Sequence, residues 1–95
     1  MTAETDFDAV AHDAPAIQEW LIEQIAFYAE MDPADIAPDV RLSSYRIDSL
    51  YALSLCADIE DRYGLPVDAT IAWDHPTAEA LSRHVAGRLL AERDA

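Results

Sequence analysis

The run Asp48-Ser49-Leu50-Tyr51-Ala52-Leu53-Ser54-Leu55-Cys56-Ala57-Asp58-Ile59-Glu60-Asp61-Arg62-Tyr63-Gly64 has the marks of one complete helix with both of its ends. Ala52, Leu53, Cys56, Ile59 and Tyr63 make a buried stripe, so the pattern predicts an amphipathic helix from near Ser49 to near Tyr63. Gly64 follows where a left-handed cap is wanted. On the N-terminal side, Met31 to Asp48 carries Pro33, Pro38 and the acids Asp32, Asp35 and Asp39, which predicts a long loop. Ile36, Val40 and Leu42 are spaced through it to pin it to the rest of the domain. Long loops in small domains are uncommon and often functional.

Further out, Ile17, Trp20, Leu21, Ile25 and Tyr28 recur at steps of three and four and predict a first helix from about Pro15 to Ala29. Pro15 suits its first turn, where a missing N–H costs nothing. Beyond Gly64, Leu65-Pro66-Val67 is an extended link, and Asp68 to Trp73 has room for one short helical turn. Thr77 is a good N-cap for a last helix running to about Ala91, with Leu81, Val85 and Leu89 repeating every four residues. The expected fold is all-α: three main helices and one short helix, with the long loop between the first and second. Residues 1–13, with Glu4, Asp6, Asp8 and Asp13, read as a flexible acidic leader, leaving 14–92 as the domain.

The 95 residues allow one domain. Eighteen are Ala, so bulky core residues are few, which suits close-packed helices. The net charge is −13, from 19 acids against six Arg and no Lys. Such a surface repels phosphate, which argues against nucleic acid and anionic membrane as partners, and it favours partners with basic patches. Residues 1–75 hold 16 acids and three Arg, whereas 76–95 hold three of each, so all the net charge precedes the last helix. A single cysteine, Cys56, excludes an internal disulfide, and its place on the stripe marks it as a small core residue. With no signal-like N-terminus and no membrane-length apolar run, the expected setting is cytoplasmic.

Chemistry points to Asp48-Ser49-Leu50. A serine here ends a loop and opens a helix, so its hydroxyl is exposed, rigidly held and beside unpaired N–H groups that favour a phosphate. Asp48 stands ready to bind a metal ion or orient the hydroxyl; equally, Asp48 or Ser49 is simply the N-cap. From Ser49, one side of the helix presents Leu53, Ala57, Glu60 and Asp61, flanked by Leu50 and Ser54: either apolar contacts ringed by acids, a docking surface for a basic, partly apolar groove, or a solvated acidic face with Leu53 wholly in the core.

With Ile36 and Leu42 before the serine, Asp48-Ser49-Leu50 itself, Ile59-Glu60-Asp61-Arg62-Tyr63-Gly64 after it, and Pro76-Thr77 with Leu81 later, the chain resembles the acyl carrier protein family from about Ile17 to Leu89. The resemblance implies a four-helix bundle, and a 4′-phosphopantetheine arm placed on Ser49 from coenzyme A by a Mg²⁺-using phosphopantetheinyl transferase. It also implies acyl or polyketide cargo carried as a thioester and exchanged, by a monomer without catalytic residues of its own, with a ketosynthase, acyltransferase or acyl ligase. Ser49 to Gly64 and Trp73-Asp74-His75-Pro76-Thr77 look most like carriers of polyketide synthases, and a start at Met1 resembles a free-standing one. One position departs: the family usually has Gly two residues before the Asp, where this chain has Arg46.

Other readings stay open. One is a carrier of aminoacyl groups in a peptide synthetase; another is a helical interaction module that never bears an arm. A Ser49–His75–Asp hydrolase lacks the strand-turn-helix elbow such a site needs. His12, His75 and His84 do not show metal-ligand spacing, and Asp32, Asp35 and Asp39 lack the Gly and closing Glu of a calcium loop, so no metal site is expected.

Overall fold

The computed structural model describes residues 13–68 and 70–94. Four helices follow one another: α1 (Ala14–Ala29), α2 (Ser49–Tyr63), the single-turn α3 (Ile71–Asp74) and α4 (Ala78–Asp94). Most of the acidic leader lies outside the described residues, but its last residue, Asp13, caps α1 by accepting from the Ala16 N–H at 2.9 Å. Glu30 closes α1 in the left-handed region, and Gly64 closes α2 at φ 65°, as its place after the apolar stripe required. Thr77 caps α4 through its hydroxyl, 3.0 Å from the Ala80 N–H.

The core is built from Ile17, Leu21 and Ile25 of α1, Leu55 and Ile59 of α2, and Leu81, Val85 and Leu89 of α4. Each such side chain contributes about 1.5–3 kcal/mol by leaving water. The most extensive helix pairing is α1 with α4. Trp20 and Tyr28, expected on the α1 stripe, are half-buried at its margins. Tyr63 meets Trp20 edge-on at 5.4 Å, and Arg62 lies 5.3 Å over the Trp20 ring. Tyr28 donates to the Asp58 carboxylate; burial first, and then that acid, push its phenol up to about 12.

Two expectations for the apolar positions need correction. Leu53 is 57% exposed, and Leu55 takes its place in the core. At about 100° per residue, Leu53 falls roughly 110° from the centre of the buried arc of Ala52, Leu55, Cys56 and Ile59. Val40 is half-buried and outside the core, whereas Ile47, not singled out by spacing, is buried beside Ile36 and Leu42. Ile47 directly precedes the cap residue of α2 and therefore anchors the end of the loop.

That loop contains two 3₁₀ turns, Pro33–Asp35 and Leu42–Tyr45. The Leu42 N–H donates to the Pro76 carbonyl at 2.8 Å and the Glu79 N–H to the Pro38 carbonyl at 2.9 Å. Arg41 and Thr77 form an isolated antiparallel bridge, and Tyr45 accepts from the Ala37 N–H at 2.8 Å. The long connection is thereby tied to the start of α4 at several points. The short helix comes slightly later than predicted, and Ile71 is its buried residue. It meets α4 through His75 and His84, whose rings stack 4.2 Å apart. No helix among the described residues is long and apolar enough to cross a membrane.

Candidate functional site

The start of α2 separates two roles that sequence alone left to either residue. Asp48 is the N-cap: its Oδ1 accepts from the N–H groups of Leu50 and Tyr51, each at 3.1 Å. Ser49 is the first helical residue and is exposed. Its hydroxyl is not consumed by capping. It stands on a rigid first turn at the positive end of the α2 dipole, which favours negative charge close by. Of the roles considered for Asp48, the cap is the one the geometry displays, and it engages one of the two carboxylate oxygens.

Next to this turn lies a cleft lined by Arg41, Ile47, Asp48, Ala52, Trp73 and Pro76, among others. Its walls come from the loop, from α2 and from α3, so the short helix contributes directly to the surroundings of Ser49. Trp73 is 69% exposed at its edge. The segment around this tryptophan is too short to give a periodic signal; its large apolar surface in a loop-like context was the available clue.

Leu50 is 67% exposed, and Leu53, Ala57, Glu60 and Asp61 are exposed with it. All five lie on the solvent side of α2, continuous with Ser49. Among the described residues, none of the three acids or leucines most central to this face, Glu60, Asp61 and Leu50, is held in an ion pair or a side-chain hydrogen bond. The face is apolar near the serine and acidic farther along.

Other polar candidates stand apart from it. Cys56 is buried, directs its Sγ to the Asp68 carbonyl at 3.5 Å, and has its thiol pushed up by burial and by Asp68. His75 stacks on His84, and His84 is held below the ordinary histidine range by burial, then by His75 and Arg88, against an opposing pull from Asp74. Asp32 is occupied as the cap of a 3₁₀ turn. Among the described residues no three His, Cys, Asp or Glu side chains are grouped to hold a metal ion; His12 lies outside those residues.

Residues 19–85 match the family model for the phosphopantetheine attachment site. The chain belongs to this phosphopantetheine-binding family. Its curated relatives include much longer synthases. It is 38% identical over 58 residues to polyketide synthase GfsA of Streptomyces halstedii, covering 61% of this chain and 1% of that protein. It is 33% identical over 82 residues to erythronolide synthase EryA2 of Saccharopolyspora erythraea, covering 81% of this chain and 2% of that one. The phosphopantetheine-binding chain thus spans only 1–2% of the length of these two synthases. Among solved structures, it is similar to a free-standing peptidyl carrier protein from an Acinetobacter baumannii secondary metabolic pathway, with TM-score 0.79 and 32% identity over 82% of this chain and 98% of that one. The HMG-ACPI domain of the CurA module from Lyngbya majuscula also gives TM-score 0.79, with 26% identity over 86% and 83%. The family bears a 4′-phosphopantetheine group. The residues here fit one: an exposed serine hydroxyl on a capped helix start, next to an open cleft.

Proposed function

We propose that this chain is an acyl carrier protein whose Ser49 bears the 4′-phosphopantetheine arm and presents acyl or polyketide cargo to partner enzymes. The observation that carries this reading is the exposed Ser49 hydroxyl in the first turn of α2, left free because Asp48 does the capping. When bound, the group supplies a thiol on a long flexible arm, the chemistry by which acyl groups travel as thioesters.

The chain's own part is to offer the hydroxyl and to be recognised. During loading the Ser49 Oγ gives up its proton and forms a bond to the β-phosphorus of coenzyme A, and the pyrophosphate P–O bond breaks to release adenosine 3′,5′-bisphosphate. The Leu50 and Tyr51 amides are already held by Asp48, so what lowers the cost of the phosphodiester's charge is the positive end of the α2 dipole. Asp48 keeps that turn ordered, and its carboxylate is near enough in sequence to help hold the Mg²⁺ that a transferase brings.

Leu50, Leu53, Ala57, Glu60 and Asp61 form the proposed docking face for the transferase and for a ketosynthase, acyltransferase or acyl ligase. The acids steer basic partners, and the leucines supply an apolar contact once they arrive. Residues 14–92 are the proposed carrier unit. Likeness to a free-standing peptidyl carrier supports a second reading, in which the cargo is aminoacyl.

The test is incubation with coenzyme A, Mg²⁺ and a broad-specificity phosphopantetheinyl transferase, followed by intact-protein and peptide mass spectrometry. One arm on the Ser49 peptide, and none on Ser49→Ala, is the expected result. Labelling that survives Ser49→Ala, or no labelling with several transferases, refutes it. Charging the loaded protein with an acyl ligase or with an adenylating enzyme then separates acyl from aminoacyl cargo.

A further inference from the structure

The short helix α3 is lightly fastened. It is a single turn, Ile71–Asp74, and its N-cap Thr70 gives it no side-chain hydrogen bond. Ile71 is its buried residue, whereas Trp73 stands out to solvent from the wall of the cleft next to Ser49. The ring of its C-cap residue, His75, stacks on His84 of α4 at 4.2 Å, with the two planes 22° apart. Just upstream, the Arg88 guanidinium of α4 reaches the Pro66 carbonyl at 3.4 Å, a long contact. An element with one buried apolar side chain and few polar ties opens locally at less cost than the bundle unfolds.

The stack lies in a hollow that holds both signs of charge. Asp68 comes from the link after α2, Asp74 and His75 from α3 and its cap, and His84 and Arg88 from α4. A proton on His84 leaves water in part and faces His75 and the Arg88 guanidinium; Asp74 opposes this, and Asp68 lines the same hollow. The balance, with burial the largest cause, holds His84 below the ordinary histidine range. The closed stack therefore binds a proton at His84 less readily than a histidine in water does. A state with the rings parted and His84 in water binds it more readily, so acid favours the parted state.

We infer that the His75–His84 stack is a proton-sensitive latch on α3: closed at neutral pH, it keeps the Ala72–Trp73 wall of the cleft beside Ser49 in place, and on acidification it parts and frees that wall while α1, α2 and α4 stay packed. The core shared by those three helices is aliphatic at Ile17, Leu21, Leu55, Ile59, Leu81 and Val85, and such side chains take no proton. The latch is built from α3 and α4 alone, so it holds or fails independently of any arm on Ser49.

Amide hydrogen exchange read by NMR tests this, because the N–H groups of Trp73, Asp74 and His75 donate within the turn, to the carbonyls of Thr70 and Ile71. Protection factors, corrected for the intrinsic pH dependence of exchange, are measured from about pH 7.5 to about pH 5.5 for these amides and for amides in the middle of α2, while imidazole spectra follow both histidines. In the wild type, α3 protection should fall about threefold or more, with a midpoint that tracks the His84 titration below about pH 6.5, and α2 should keep its protection. His84→Gln should leave α3 protection level across the range. His75→Gln removes the stacked partner, so the fall should be smaller; it decides alone if circular dichroism shows that His84→Gln does not fold. Level α3 protection in the wild type overturns the inference. So does a fall that survives the histidine substitutions undiminished, which assigns it to Asp68 and Asp74, or one that α2 shares, which is general unfolding.

Discussion

Asp48 spends one carboxylate oxygen on two backbone amides, so capping and any role in transfer reside in the same side chain. They can be separated because asparagine caps a helix about as well as aspartate, whereas alanine costs roughly 1 kcal/mol. Asp48→Ala should lower the melting temperature by several degrees and slow loading. Asp48→Asn should melt like wild type and still load more slowly, because the negative charge toward Mg²⁺ is gone. Thermal melts alongside transferase kinetics check this; wild-type loading by Asp48→Asn leaves Asp48 as a cap alone. Ser49 was legible because a polar loop passes there into an apolar-periodic helix. The choice of cap was not, since Asp and Ser are nearly equal as N-caps and only the geometry separates them. Arg46 was visible as a departure from a family pattern, but its positive φ is a property of the folded turn.

At the scale of elements, α2 presents Leu50 and Leu53 to solvent and then Glu60 and Asp61. Glu60→Lys with Asp61→Lys should fold normally, slow turnover by a transferase or ketosynthase several-fold at low salt, and weaken its salt dependence. Leu50→Asp should instead weaken the complex after it forms. Circular dichroism and rates at two salt concentrations check both; unchanged kinetics of a folded double variant would move the docking face toward Asp32 to Asp39. The helix stripes were readable from spacing, and α2 came out with the expected ends. Leu53 and Leu55 were confused because a helix with apolar residues on both sides of its core arc gives no unique face. The α3–α4 contact makes a further prediction. His84 is pushed below the ordinary histidine range by burial, then by the stacked His75 and by Arg88, although Asp74 opposes this. A histidine whose folded pKa lies below its unfolded value near 6.5 leaves the unfolded chain holding more protons in that window. Stability should therefore be full above about pH 6.5 and fall as the pH drops below it. His84→Gln should flatten that part of the melting-temperature profile; an unchanged slope between pH 7 and 5 assigns it to the acids.

For the molecule as a whole, 19 acids face six Arg. Among the described residues the ion pair formed is Arg83 with Glu79, at 3.7 Å and largely exposed, a type that contributes little. Self-repulsion is therefore mostly uncompensated, and added NaCl or millimolar Mg²⁺ should raise the melting temperature by screening. Calorimetry across salt concentrations checks this; a flat or falling trend would mean the acids are internally paired. The helical bundle itself was legible from composition and spacing. What was not legible was how the long loop is held, because backbone bonds from Leu42 to Pro76 and from Glu79 to Pro38 join segments more than thirty residues apart and leave no mark in side-chain pattern.

Those ties have a kinetic meaning. A loop fastened to α4 on one side and buried through Ile47 on the other has already lost most of its conformational freedom before any enzyme arrives. Ordering a free segment of that length on contact would cost about 1–2 kcal/mol for each residue fixed. Here that cost is met during folding, so a visiting enzyme encounters a finished surface. The brief, repeated encounters of a carrier can then be fast in both directions, since departure has no ordered segment to melt.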